Sequence, residues 1–475
     1  MRSLWLEEAL AGSEPECPPL EGDVRADVCI VGGGFTGLWS ALRLKEHAPS
    51  LNVVLLEADI CGGGASGRNG GFVLTWWSKF TTLKKLCGAE EAVRLAKASE
   101  EAVNEIGRFC EAHGIDAHYR RQGWLWAATS QSQIGAWEET VAAAARAGAN
   151  PFRELDREEV ARRSGSPRHL AGVLEETAAT VQPALLARGL RRVALERGVR
   201  IFERSPMTAL DRGRPVRVRS AAGSVTAEKV VLALNAWSSS ISELRRSLVV
   251  IASDMVATEP IPERLEEIGW HNGLCISDSR LLVAYYRTTL DGRIAFGKGG
   301  GALAFAGRIG PSFNGASPRA KEVSEDLRRI YPALREALIT HSWNGPIDRT
   351  PSGLTFLGSL GGREDLLYGY GFSGNGVGPS HVAGRVLASR ALGLDDEWAA
   401  ARLPEGPAGT FPLSRAGRFP PEPFRYLGGL VVRAAVARKE DAEDAGRRPS
   451  PLAVRLAALA PAGLVPTKTK REPAP

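Results

Sequence analysis

Apolar residues fall along this chain in two rhythms. The run Asp27-Val28-Cys29-Ile30-Val31 is short, continuous and rich in β-branched side chains, the pattern of a strand buried on both faces of a parallel sheet. Glycines follow at once, and then Leu38, Ala41, Leu42 and Lys45 recur at helical spacing. A second buried strand, Val53-Val54-Leu55-Leu56, comes next. Helical periodicity returns over residues 90–112 and 133–147, with a strand at 123–127 between them. Strand-like runs at 248–251, 281–286 and 293–297 predict a mostly antiparallel sheet. Late in the chain Leu366-Leu367-Tyr368-Gly369-Tyr370 predicts another buried strand, followed by glycines and a helix beginning near Pro379. Strands that alternate with helices at both ends, around a strand-rich middle, define an α/β fold carrying an inserted β-sheet domain.

The first glycine turn carries chemistry. Gly32-Gly33-Gly34-Phe35-Thr36-Gly37 is a complete GxGxxG standing between a strand and a helix. Gly32 permits the tight turn, Gly34 lets a pyrophosphate reach the backbone, and Gly37 lets helix pack on strand. The helix start at Phe35 and Thr36 then offers unpaired N–H groups to phosphate. Glu57 ends the second strand 20 residues beyond Gly37, where a carboxylate accepts from ribose hydroxyls. An adenine dinucleotide is therefore expected. Past Glu57, six of the ten residues from 62 to 71 are glycine, and Gly64, Ala65, Ser66, Arg68, Asn69, Gly70 and Gly71 supply bare backbone and polar contacts. NAD needs no such loop after the second strand; the longer FAD molecule does.

The stretch VGGGFTGLWSALRL…VVLLEADICGGGASGRNGG resembles the FAD-dependent amine and amino-acid oxidases of the DAO superfamily, and the GASGRNGG form is most similar to the gamma-glutamylputrescine oxidoreductase branch. Further stretches match in order: Ala179–Leu186, a backbone segment at Met207 set against adenine, a strand with Asn235-Ala236-Trp237, Trp343-Asn344-Gly345-Pro346, and the turn Gly374-Asn375-Gly376-Val377. The resemblance covers residues 24–395. It implies a second helix N-terminus, at residues 374–377, set against the flavin where negative charge develops on reduction. It also divides the chain into a discontinuous Rossmann-type FAD-binding domain (24–75, 151–244 and 345–395) and a mostly antiparallel β-sheet substrate domain (76–150 and 245–344). The implied reaction converts a C–N bond to an imine by hydride transfer to flavin N5, on a small-molecule amine, amino acid, polyamine conjugate or aminophosphonate. Molecular oxygen is the expected acceptor. A dehydrogenase using a quinone or carrier protein, and a non-catalytic FAD protein, stay open beside it.

Such chemistry needs an oriented amine and a dry flavin rather than a catalytic triad. Lys298, Tyr286 and Arg287 are the catalytic or substrate-binding candidates, with Tyr285, Trp343 and the pair Trp76–Trp77 nearby in the pattern. Lys298 in particular offers itself to an anionic substrate group. The FAD is expected to be non-covalent, because Arg68 stands where His-linked relatives carry histidine and the last cysteine, Cys275, precedes the final flavin motif.

Composition trims the alternatives. Among 475 residues, 60 Lys and Arg against 54 Asp and Glu leave only +6, too little for nucleic-acid binding. Six cysteines without a CxxC pair suggest reduced thiols in a cytoplasmic protein, and seven histidines without ligand spacing suggest no metal site. No apolar run reaches the roughly 18 residues of a membrane span. Quaternary state is open between monomer and homo-oligomer. Residues 396–475 form a C-terminal extension: a proline-rich linker at 404–423, an amphipathic helix with Phe424, Leu427, Val431, Ala434 and Ala435 on one side, and a disordered basic tail from about residue 463 onward that includes Lys468, Lys470 and Arg471. That helix is expected to pack its apolar side on this subunit or a neighbour, with a membrane surface as the alternative.

Overall fold

The computed structural model describes residues 2–12, 15–404 and 417–463. Two eight-stranded sheets lie side by side. The first is built on the parallel strands Gly22–Val31, Val53–Leu56, Arg200–Phe202, Gly223–Leu232 and Leu366–Tyr370, with Gly22–Val31 in the middle. Helix Phe35–His47 and helix Val377–Leu392 pack against each other on one face. Gly384 makes the crossing close, since a Cβ there would stand 2.5 Å from that of Trp39. Val28, Ile30, Leu55 and Val231 fill the core beneath these helices.

The second sheet is antiparallel except for one parallel pairing, Cys275–Asp278 with Trp124–Ala128. Long strands Val249–Thr258 and Ile339–Arg349 form one edge, and Ala284–Thr288 and Ile294–Lys298 lie inside. Its far edge corrects the expected domain boundaries. Phe152–Leu155 and Ala171–Glu175, expected in the first domain, extend the second sheet by pairing beyond Trp124–Ala128. The strand Ile339–Arg349 likewise carries residues 345–349 into the second sheet. Conversely, helix Ala89–Ala112, expected in the substrate domain, packs on Val377–Leu392. The local pattern identifies strands but not their partners, and these partners lie far apart in sequence. Trp76 and Trp77 are fully buried core.

The C-terminal helix Phe424–Asp444 crosses the second sheet's loops, but with the reverse of the expected face inward. It buries Arg425, Ala435, Val436 and Glu440, whereas Phe424, Leu427 and Val431 are exposed. Arg425 donates to the carbonyls of Arg245 and Leu248, Glu440 accepts from the Leu281 amide at 2.6 Å, and Asp444 pairs with Arg280 at 2.9 Å. Those buried charges fix the inner face. Most of the expected linker, residues 405–416, and the basic tail lie outside the described residues. Among the described residues no helix is long and apolar enough to cross a membrane.

Candidate active site

One cavity of about 610 Å³ runs between the two sheets, and three separate stretches of glycine-rich backbone line it. The first is the turn after Val31. Gly32 adopts φ +114°, and a Cβ on it would stand 2.3 Å from the Ala233 carbonyl oxygen, so no other residue fits. Gly34, Phe35 and Thr36 face the cavity, and the Phe35 amide donates to Ser66 Oγ at 2.9 Å. Glu57 lines it too; its carboxylate accepts from the Gly33 and Asp59 amides at 2.7 and 2.9 Å, and burial raises its pKa.

The second stretch contributes Gly64, Ala65, Ser66, Arg68, Asn69 and Gly70. Asn69 Nδ2 donates to the Ala65 and Ser66 carbonyls and its Oδ1 accepts from the Gly71 amide, which folds the loop on itself. Arg68 is buried, donates from Nε to the Gly63 carbonyl at 3.1 Å, and has its pKa lowered by burial. The third stretch is Gly374, Asn375, Gly376 and Val377 at the start of helix Val377–Leu392, so that a second helix N-terminus opens on the cavity. Asp348 braces this turn by accepting from the Gly371 and Ser373 amides. Met207, Asn235 and Trp237 complete the wall.

Three of the expected cofactor contacts serve behind the wall instead. Gly37 stands where a Cβ would lie 1.9 Å from the Gly32 carbonyl, so it is the packing glycine of helix on turn. Gly71 has φ +72° and faces the Val181 carbonyl, and Ala236 is buried in the core of the first sheet. None of the three lines the cavity.

The catalytic candidates are corrected more sharply. In the strand Ala284–Thr288 side chains alternate between faces. Tyr285 faces the cavity; Tyr286 points away, stacks 4.8 Å from Phe296 and bonds His169 Nε2 through its hydroxyl at 2.6 Å. Arg287 does not line the cavity. It donates to the carbonyls of Gly70 and Val181 at 2.8 and 2.6 Å and lies 4.9 Å from the Trp5 ring, holding the second glycine stretch from behind. Burial lowers it to about 9. Lys298 turns outward to pair with Asp326 at 2.5 Å and Glu322 at 3.1 Å, because the helix Ala320–Ile330 brings two acids to that strand end.

Three features escaped the sequence reading. Ser253, whose Oγ lies 2.8 Å from Tyr285 Oη, joins that tyrosine in the wall. Arg349 lines the cavity, is 9% exposed, and keeps its Nε buried with no hydrogen-bond partner. Burial lowers it to about 10. Its signal was a lone arginine closing the apolar-flanked Trp343–Thr350 stretch. Finally, the N-terminal helix Leu4–Ala9 clamps the second stretch: Ser3 Oγ donates to the Gly67 carbonyl and Trp5 Nε1 to the Asn69 carbonyl at 2.6 and 2.9 Å.

Two helix N-termini, a glycine cradle that a Cβ would block, and the buried, unpartnered Asn375 Oδ1 suit an elongated dinucleotide. Gly32 to Thr36 would hold the pyrophosphate, Glu57 the ribose, and residues 374–377 the flavin edge. That arrangement defines an FAD-dependent oxidoreductase. The chain belongs to the FAD dependent oxidoreductase (DAO) family, which matches residues 27–390. It is 31% identical to gamma-glutamylputrescine oxidoreductase of Escherichia coli, over 84% of this chain and 91% of that one. Among solved structures, L-proline dehydrogenase from P. horikoshii superposes with a TM-score of 0.66 at 19% identity, covering 84% of this chain and 100% of that chain. Glycine oxidase from Geobacillus kaustophilus gives 0.64 at 19%, covering 83% and 99%.

Proposed function

We propose that this enzyme oxidises the C–N bond of a small amine or amino acid to an imine, which water then hydrolyses. Bound FAD supplies the two-electron acceptor for the hydride leaving the carbon. The observation that carries this reading is the continuity of the cavity. The same cavity is lined by the nucleotide turn and, from the second sheet and its loops, by Tyr285, Ser253, Asn314 and Arg349. Relatives named for gamma-glutamylputrescine and glycine support amines and amino acids as the substrate class.

The residues of the chamber orient rather than exchange protons. Burial raises the Tyr285 hydroxyl well above its ordinary range, so it stays protonated and available as a donor. Arg349, whose Nε has no partner among the described residues, is the proposed cation for an anionic group on the substrate, and Gly297, where a Cβ would meet the Tyr285 ring at 2.2 Å, fixes that ring's seat. Among the described residues neither Cys nor His lines the cavity, which supports non-covalent FAD. Six free thiols support a cytoplasmic setting.

Oxygen is the proposed acceptor. A quinone or carrier protein is the second reading, favoured by the lack of any lysine among the described cavity residues to promote oxygen reduction. Anaerobic mixing with a panel of amines and amino acids tests the reaction: the flavin absorbance near 450 nm should bleach with one class of amine. Readmitting air, or adding a quinone, then shows which acceptor restores it. A flavin that no amine bleaches would sink the reading.

A further inference from the structure

The C-terminal helix turns its apolar side to solvent, and the sequence around it carries most of the molecule's net positive charge. At 100° per residue, Phe424, Leu427, Val431, Ala434 and Arg438 fall within an arc of about 80°, opposite the buried Arg425, Val436 and Glu440. Phe424, Leu427 and Val431 are 68%, 55% and 52% exposed. The short helix Pro451–Ala457 packs against this one, and Leu452 and Leu459 beside it are 67% and 70% exposed. These five are most of the large exposed apolar residues among those described. Residues 417–475 hold eleven Lys and Arg against six Asp and Glu, so they supply five of the six net positive charges.

The acids of this region are spent inside the protein. Glu440 and Asp444 bind the Leu281 amide and Arg280, Glu422 pairs with Arg425 and Glu443 with Lys439. Among the described acids of this region, only Asp441 stays exposed, at the edge of the arc. Arg438, Arg447, Arg448 and Arg455 are exposed, and among the described residues no side-chain partner engages them. A solvated apolar stripe running into unpaired arginines matches an anionic lipid interface, where acyl chains take the stripe and headgroups take the arginines. A two-fold dimer through the same face fits less well, because it would set like arginines against each other.

We propose that the face formed by helix Phe424–Asp444 and helix Pro451–Ala457 docks this enzyme peripherally on a membrane rich in anionic lipid. The same helix straps the second sheet beside the cavity: Arg433 donates to the Gly300 carbonyl and Glu440 holds the 281–282 amides, next to the cavity residues Gly299 and Val283. Docking therefore puts the substrate chamber close to the lipid surface. The inference does not depend on which amine is oxidised.

Flotation of the full-length holoenzyme with vesicles of phosphatidylglycerol and phosphatidylcholine, against phosphatidylcholine alone, tests it. Binding is expected only to the anionic vesicles, and it should weaken as salt rises. Leu427→Glu/Val431→Glu should abolish it. Arg447→Gln/Arg448→Gln should lower it on the order of thirtyfold. Both variants should keep FAD content and amine-driven bleaching, which shows that they fold. No binding to anionic vesicles at low salt would overturn the proposal. So would undiminished binding by the Leu427→Glu/Val431→Glu variant, or binding lost only when residues 464–475 are removed. A dimer that the stripe variant dissociates, with no vesicle binding by either protein, would assign the face to a second copy instead.

Discussion

Gly32 shows how little room the cofactor turn leaves. Its φ of +114° alone costs any other residue about 1–3 kcal/mol, before a Cβ meets the Ala233 carbonyl. Gly32→Ala should therefore purify with little or no FAD, read as the ratio of flavin absorbance to protein; full occupancy would refute the role. Arg349 makes a different demand. A buried guanidinium without an acceptor awaits one, and a charge-assisted bond is worth about 1.5–3 kcal/mol. Arg349→Ala should raise KM on the order of ten- to a hundredfold for amines bearing an anionic group, and leave neutral amines alone. Equal effects on both would contradict it. Tyr286→Phe should leave turnover intact and cost about 1–3 kcal/mol in denaturant unfolding, because His169 loses its partner in a dry core. The two adjacent tyrosines also mark a limit of reading a sequence: alternation says that Tyr285 and Tyr286 face opposite ways, but only the sheet's partners say which way is the cavity.

At the level of elements, the glycine turns and the two helices behind them were plain in the sequence, since each motif is local and its spacing is its function. The strand order of the second sheet was not, because Trp124–Ala128 pairs with residues about 50 and 150 positions away and no local pattern encodes that. The clamp at the N-terminus was equally hidden: Ser3 and Trp5 act on carbonyls 64 residues on, and nothing in their neighbourhood announces it. Removing residues 1–12 breaks both bonds and the one from Gln182 Nε2 to the Trp5 carbonyl. At about 0.5–1.5 kcal/mol each, their loss should weaken FAD affinity at least about tenfold, measured by titrating the apoprotein. Unchanged affinity would show that the second glycine stretch holds its shape unaided. The C-terminal helix teaches the opposite lesson. Its periodicity was legible, but periodicity reports only that one side is apolar, and buried arginine and glutamate decided which side turned in.

Across the whole molecule, the buried acids set how stability follows pH. Glu175 is 1% exposed, and burial pushes its carboxyl up to about 8. Between about 4.5 and 8 the folded chain therefore keeps a proton that the unfolded chain releases, and this group's contribution falls as pH rises through that window. Glu175→Gln should flatten that part of the Tm–pH profile; an unaltered profile would show that its titration is not coupled to folding. Two sheets and three glycine-rich stretches meet around one cavity, and a single preparation tests whether that cavity holds FAD. The purified protein should be yellow, with about one FAD per chain. Acid precipitation should release that colour to the supernatant. A colourless chain that takes up no FAD on addition would contradict the account, and a yellow pellet would contradict the non-covalent site.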